Sequence, residues 1–268
     1  MPEGHTLHRL ARLHQRRYGG APVRVSSPQG KFAHDASIVD GQVLVKAEAH
    51  GKHLFHRYES GTVHVHLGLY GTFSEGKLPA QPPVGQVRMR LAGGTHWTDL
   101  RGPNRCELLA PDQVEAIKAR LGPDPLRRDA RPERAYERIS ASRTSLAVLL
   151  MDQSVLAGVG NVYRAEVLFR HGITPMLPGR SLDPVQWKEI WADLVTLMRA
   201  GVRTGRIDTV AGEHLPEVTG RAPRQDRHGG EVYVYRRAGQ PCLVCGTPVA
   251  HQELAGRNLY WCPACQPG

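Results

Sequence analysis

The chain is short of acidic charge, of lysine and of long apolar runs, and each shortage excludes something. No apolar run in the 268 residues approaches the ~20 that a membrane-crossing helix needs. Residues 5–17 mix His, Arg and Leu where a signal peptide would be continuously apolar, so the expected location is the cytoplasm. Acidic residues number 25 against 35 basic ones, leaving +10 before any of the 14 histidines takes a proton. An excess of that size favours a polyanionic partner, nucleic acid first. Only six of the basic residues are lysine, and arginine suits forked contacts to phosphate oxygens. Five cysteines are too few for a secreted disulfide scaffold of this length. What remains is an ordinary globular balance, 40% hydrophobic and 22% charged, with length for one large domain or two ordinary ones. No internal repeat is present.

The patterning changes along the chain. Leu7, Leu10, Ala11, Leu13 and His14 form a helical stripe that begins a few residues after the terminus. From about 22 to 110, short alternating runs such as VLVKAEA, HLFHRYE, TVHVHLGLYG and QVRMRLA are separated by Gly, Pro and Asp. They predict an antiparallel β domain of two sheets packed face to face. In TVHVHL the valines predict an apolar face and the histidines a polar one. Residues 112–121 predict a helix, and GPDPLRRDARPE after it reads as an interdomain linker. From about 132 to 202 the pattern is helical, broken at AGVGN. Residues 203–231 are polar, rich in Arg, Gly and Pro and without a period, which predicts a long, mobile loop.

Four cysteines carry the most specific spacing. Cys242 and Cys245 form one CxxC and Cys262 and Cys265 another, sixteen residues apart. Two such pairs predict a tetrahedral four-thiolate zinc site with no open position, hence structural. Gly246 and Pro263 supply turns at the knuckles. Cys106 stands alone in the β region and reads as a small buried hydrophobe. Between the pairs, Gly256-Arg257-Asn258 marks a hairpin tip, where an arginine either meets a phosphate or is simply solvated. The glycines of Ala157-Gly158-Val159-Gly160-Asn161 allow either a plain helix-helix turn or an approach of backbone N–H groups to an anion.

These segments together resemble the bacterial formamidopyrimidine-DNA glycosylase and endonuclease VIII (Fpg/Nei) family over the whole length. The resemblance is carried by PEG behind Met1, GKHLF at 51–55, HLGLYG at 66–71, LLMDQSVLAGVGNVYRAEVLF at 149–169, and VYRRAGQPCLVCG with GRNLYWCPACQ at the end. It implies an α+β multidomain protein: an N-terminal antiparallel β-sandwich over 1–121, a helix-two-turn-helix domain with the lesion-side loop over 122–231, and a β-hairpin zinc finger over 232–268. It also implies base excision repair by a bifunctional DNA glycosylase and abasic-site lyase. Its substrate would be double-stranded DNA with oxidised bases or abasic sites, and its cofactor one structural zinc. A monomer suits the chemistry.

The resemblance gives the terminal residues a purpose. Removal of Met1 leaves Pro2 with a free secondary amine, and an α-amino group titrates near ~8, well below lysine, so it is a usable nucleophile at neutral pH. Attack at C1′ expels the base, and the resulting iminium acidifies the C2′ hydrogens for β- and then δ-elimination. Glu3 aligns with the general acid/base and Lys52 with the strand-borne lysine that contacts phosphates beside the lesion. Asn161 and Arg257 align with residues gripping the backbone around the extruded nucleotide. Extrusion leaves a hole in the duplex. Leu69 and Tyr70 resemble the endonuclease VIII filler, core packing being the alternative for Leu69, and Arg101 is a further candidate to reach the cleft. That filler, and the absence of an Arg-Arg-Phe wedge in DLRGPNRC, favour oxidised pyrimidines over 8-oxoguanine. Many relatives continue PEGPE or PELPE, whereas this chain has His5 and Thr6. Two other readings compete: a catalytically silent protein that binds damaged DNA, and a zinc-ribbon RNA-binding factor, which leaves the terminal motif unexplained.

Overall fold

The structure, a computed structural model, describes residues 2–225 and 230–268. Met1, and residues 226–229 of the expected mobile loop, lie outside the described residues. The chain divides into two compact units, residues 1–120 and 121–268.

In the first unit, helix α1 (Gly4–Tyr18) buries Leu7, Ala11, His14 and Tyr18, the spacing of one helical face. Strand β1 (Arg24–Ser26) and helix α2 (Ala33–Val39) follow, then β2 (Lys46–His50), β3 (His53–Arg57), β4 (Thr62–His66), β5 (Thr72–Lys77), β6 (Val87–Gly93), β7 (His96–Arg101), β8 (Arg105–Leu109) and helix α3 (Pro111–Ala119). The strands form two four-stranded antiparallel sheets, ordered β1-β6-β7-β5 and β2-β3-β4-β8. Val25, Met89, Leu91 and Leu100 from one sheet meet Ala49, Leu54, Val63 and Val65 from the other in a single core that also takes in α1. This is the expected sandwich, with a helix packed on β2 and β3. The expected polar face of β4 is partly closed. His64 is buried, its ring stacked against both His53 and Phe55, which also face each other at 6.3 Å, while Phe55 packs with Val114 of α3. Helix α2 has no counterpart in the sequence reading, because only Ala36 and Val39 of its seven residues are buried and two positions make no period.

The second unit contains α4 (Pro132–Ser140), α5 (Leu146–Leu149), α6 (Asn161–Arg170), a 3-10 turn (Gly179–Ser181), α7 (Pro184–Thr204), a second 3-10 turn (Gly212–His214), α8 (Pro216–Thr219) and the hairpin β9 (Ala250–Leu254) and β10 (Arg257–Trp261). Its longest helix carries complete end signals: Asp183 Oδ1 accepts from Val185 N at 2.7 Å, Pro184 opens the helix and Gly205, at φ 78°, closes it. Two expectations are corrected here. Residues 122–125, the start of the supposed linker, are buried, with Gly122 N donating to Gln153 O at 2.9 Å and Pro123 O accepting from Ala157 N at 3.0 Å. The segment expected as a long loop without a period contains a 3-10 turn and α8, and Thr209 N donates to Glu231 O at 2.8 Å. Cys242, Val249, Leu259 and Cys262 of the finger lie in the same apolar core as Val167, Leu168 and Leu194 of the helices. No helix among the described residues is long and apolar enough to cross a membrane.

Candidate functional site

The terminal dipeptide is held. Pro2 is half-buried and Glu3 wholly buried. Glu3 occupies the N-cap position of α1 in an extended conformation, its carbonyl accepting from Thr6 N at 2.9 Å. His5 is buried two residues on, and burial, with the charge of Arg9 adding, pushes its pKa down to about 4; it is a neutral ring at working pH. Lys52 sits half-buried in the tight β2–β3 turn behind Gly51, whose φ of 56° favours glycine. Because α1 packs on β2 and β3, the helix that follows Glu3 and the turn that carries Lys52 belong to one packed layer.

Beyond β4, the HLGLYG turn closes with Gly71 N donating to Leu67 O at 2.9 Å. Leu69 is 44% exposed and Tyr70 83%, which rules out core packing for either. The turn has a rigid neighbour: Asn104 N donates to His66 O at 2.9 Å, and a Cβ on Gly68 would lie 2.4 Å from the Asn104 side chain. Arg101 is placed differently from expectation. Its guanidinium donates to Asp99 Oδ2 at 3.0 Å, Ser74 Oγ at 2.5 Å and Val84 O at 3.1 Å, so all three nitrogens have partners in its own sheet and the β5–β6 connection.

In the second unit, Asn161 is the first residue of α6, behind Gly160. The turn before it is shaped by a residue the sequence reading missed. Gln153 Nε2 donates to Val159 O at 2.9 Å and Met151 O at 3.0 Å, while its Oε1 accepts from Gly158 N at 3.0 Å. Asn161 is 5% exposed and its Nδ2 donates to Asn258 O at 2.8 Å, tying α6 to the finger. Arg164, also missed and 1% exposed, completes the joint by donating to Asn161 Oδ1, to Asn258 O at 3.0 Å and to Ala147 O at 3.0 Å. Arg257 opens β10 and is exposed, behind a hairpin tip in which Ala255 (φ 50°) and Gly256 (φ 69°) take the left-handed conformations of a two-residue turn. Buried Glu166 accepts from the backbone N–H groups of Tyr233, Val234 and Tyr235 at 2.7, 2.9 and 2.8 Å and so holds the turn that leads into the finger. The only local signal for Arg164 and Glu166 was charge inside an apolar helical run.

The four finger sulfurs lie within 4.8 Å of one another, with Cys242–Cys265 at 3.9 Å and Cys245–Cys262 at 3.4 Å. A tetrahedron with Zn–S bonds of about 2.3 Å has edges of about 3.8 Å, so the residues fit zinc. Val244 N and Cys265 N each point at a sulfur of their own knuckle at 3.5 Å, the support a thiolate needs. Zinc held by these four sulfurs would tie the two knuckles together. Gln266 fastens the finger's other side, donating to Ile173 O at 2.8 Å and accepting from Cys262 N at 3.0 Å. Cys106 is apart from this group, and burial raises its thiol to about 12.

Three family matches tile the chain in this order: the formamidopyrimidine-DNA glycosylase N-terminal domain over residues 1–106, the formamidopyrimidine-DNA glycosylase H2TH domain over 121–211, and the zinc finger found in FPG and IleRS over 239–268. The protein called Endonuclease 8 1 of Mycobacterium tuberculosis is 56% identical over 271 residues, covering 99% of this chain and 100% of its own. The chain belongs to the Fpg/Nei family. Its members are DNA glycosylases of base excision repair with abasic-site lyase activity, and this one carries the family's four-cysteine zinc finger. The formamidopyrimidine-DNA glycosylase of Synechococcus sp. is 33% identical, over 78% of this chain and 74% of its own. The fold agrees with solved Fpg structures: Lactococcus lactis Fpg non-covalently bound to DNA containing an AP site aligns at TM-score 0.76 and 20% identity, covering 99% of this chain and 100% of that one. A second, in complex with DNA containing carbocyclic 8-oxo-G, aligns at TM-score 0.78 and 20% identity with both chains fully covered.

Proposed function

We propose that this Fpg/Nei enzyme excises oxidised pyrimidines from double-stranded DNA in the cytoplasm, acting as a monomer, with Pro2 as nucleophile and Glu3 as general acid/base. The observation that carries this is the burial of a carboxylate-bearing residue, Glu3, at the head of α1 directly behind a proline. A terminus serving no purpose frays instead. Once Met1 is removed, the Pro2 nitrogen bonds to C1′ and the glycosidic electron pair leaves with the base, which takes up a proton. Glu3 protonates the ring oxygen as the C1′–O4′ bond opens, and the nitrogen loses its hydrogen to form the C1′ iminium. Loss of a C2′ proton then expels the 3′ phosphate, and loss of a C4′ proton expels the 5′ phosphate. Lys52 holds a phosphate beside the lesion, and Arg257 with the α6 terminus at Asn161 holds the flanking backbone. The exposed Leu69–Tyr70 pair fills the vacated space, which is the support for a pyrimidine preference. Arg101, tied inside its sheet, has no part in this reading.

Borohydride trapping on duplexes carrying thymine glycol, 8-oxoguanine or an abasic site tests the proposal. The expected result is an adduct mapping to Pro2, stronger on thymine glycol than on 8-oxoguanine, and absent from protein that retains Met1, in which the Pro2 nitrogen is an amide. A reversed order would remove the pyrimidine preference. No adduct on any duplex, with intact mass confirming a free Pro2, would leave a damage-binding protein. Glu3→Gln is expected to abolish nicking while sparing much of the binding.

A further inference from the structure

His14 of α1 and His56 of β3 meet in the sandwich core. Both are wholly buried, with His14 Nδ1 and His56 Nε2 2.9 Å apart. The outer nitrogens, His14 Nε2 and His56 Nδ1, are sealed from solvent and have no hydrogen-bond partner. Phe73 packs against the His14 ring at 5.1 Å. Burial holds both pKa values far down, that of His56 at about 4, so both rings are neutral at working pH. Between neutral imidazoles the contact uses one N–H and one lone pair. One outer nitrogen must therefore be a buried N–H without an acceptor, an arrangement that destabilises a core. Two apolar side chains of similar volume would avoid that cost.

The location supplies a reason. The helix bearing His14 begins directly behind Glu3, and the strand bearing His56 begins directly after Lys52. Elsewhere α1 buries apolar Leu7 and Ala11 together with His5 and His8; Gln15 Oε1, accepting from Ala47 N at 2.7 Å, is the neighbouring polar link to this sheet, and Tyr18 OH meets Thr98 Oγ1 of the other sheet at 2.7 Å. Apolar contacts tolerate sliding and rotation, whereas a hydrogen bond in a dry core has one geometry. We propose that His14 and His56 are positioning residues: their hydrogen bond fixes the register of α1 on the sheet and thereby the place of Pro2 and Glu3 relative to Lys52. The inference rests on the catalytic reading of those three residues. A displacement of ~1 Å at a reacting group can cost about 100-fold in rate, and a helix transmits such a shift along its axis undiminished.

The test compares a variant that keeps the hydrogen bond with one that removes it. In His56→Gln the amide nitrogen or oxygen stands near the place of Nε2 and still meets His14. The pair His14→Leu/His56→Leu removes both polar partners. Each protein is assayed for thermal unfolding at pH 8, for affinity to a duplex containing a tetrahydrofuran abasic analogue, and for single-turnover nicking of an abasic site at saturating enzyme. The leucine pair is expected to unfold cooperatively at or above the wild-type midpoint and to bind within about threefold. Its single-turnover rate should fall about tenfold or more, while His56→Gln keeps most of the wild-type rate. If the leucine pair does not fold, His56→Met against His56→Gln carries the same comparison. An unchanged rate in a folded variant lacking the hydrogen bond overturns the proposal. So does a rate loss matched by equal losses of affinity and melting temperature, which marks ordinary structural damage. Protein that retains Met1, and so has no free Pro2 amine, is run alongside: normal nicking by it would show that the catalytic reading, rather than the role of the histidine pair, is at fault.

Discussion

At the scale of single residues, burial and partners sort the candidates more sharply than residue type does. Arg101 and Arg257 carry the same guanidinium, yet one donates to Asp99, Ser74 and Val84 while the other stands exposed at a hairpin tip. Arg257→Ala is expected to weaken binding to every lesion alike, by about tenfold or more for a lost charge-assisted contact, and to reduce the salt slope of log K by about 0.9. Titrations of thymine glycol, 8-oxoguanine and abasic duplexes at several salt concentrations would check this; a loss confined to one lesion would contradict a phosphate role. Arg101→Gln, by contrast, should lower the unfolding midpoint and leave the salt slope alone.

At the scale of elements, several joints rest on backbone approaches that no side chain can share. A Cβ on Gly122 would lie 2.3 Å from Val155 O, in a segment whose own N–H bonds to Gln153 O. Gly122→Ala therefore forces this buried segment away from the turn before α6 and is expected to cost upwards of ~2 kcal/mol, read from denaturant unfolding. A cost near zero would show that the segment is free to move. The finger is an element of another kind, stabilised by metal as well as by packing. Removing zinc with a chelator should release about one equivalent of metal, abolish protection of the amides in the β9–β10 hairpin and weaken DNA binding. The Gln266 and Asn161 ties to the helical region would persist only as far as the hairpin keeps its shape. Unchanged affinity in the metal-free protein would separate the finger from DNA binding.

For the molecule as a whole, buried imidazoles predict how stability depends on pH. Burial pushes the pKa of His56 down to about 4 and that of His53, with help from His64 and His66 beside it, to about 3; burial lowers His14 in the same direction. In the unfolded chain each titrates near ~6.5. Above that value neither state holds the protons and stability is at its full level. As pH falls below it, the unfolded chain takes up protons that the folded core refuses. Stability is then lost at about 1.4 kcal/mol per pH unit for each such group, until the folded values near 4 and 3 are reached. Urea midpoints are expected to be flat between pH 8 and 7 and to fall steeply between 6.5 and 4.5. A midpoint constant down to pH 5 would mean that the core histidines are charged or hydrated in the native state.

Local signals in the sequence determined a good deal. The alternating runs marked the strands, the paired CxxC spacing marked the metal, and PEG, GKHLF, HLGLYG and the AGVGN turn marked the family, because each depends on neighbours within a few residues. Pro2, Glu3 and Lys52 were legible for that reason, though their catalytic roles await the trapping experiment. The tertiary structure alone decided the rest. Composition suggested a linker at Gly122-Pro123, and only the chain folding back from residues 153–157 buries it. Residue type suggested that Arg101 was available, and only its sheet neighbours occupy it. Nothing within a few residues of His14 indicates His56, 42 positions away, nor does Arg164 announce the Asn258 carbonyl 94 positions on. Those contacts arise from the packing of whole elements, where a hydrogen-bond partner is set by geometry and not by sequence distance.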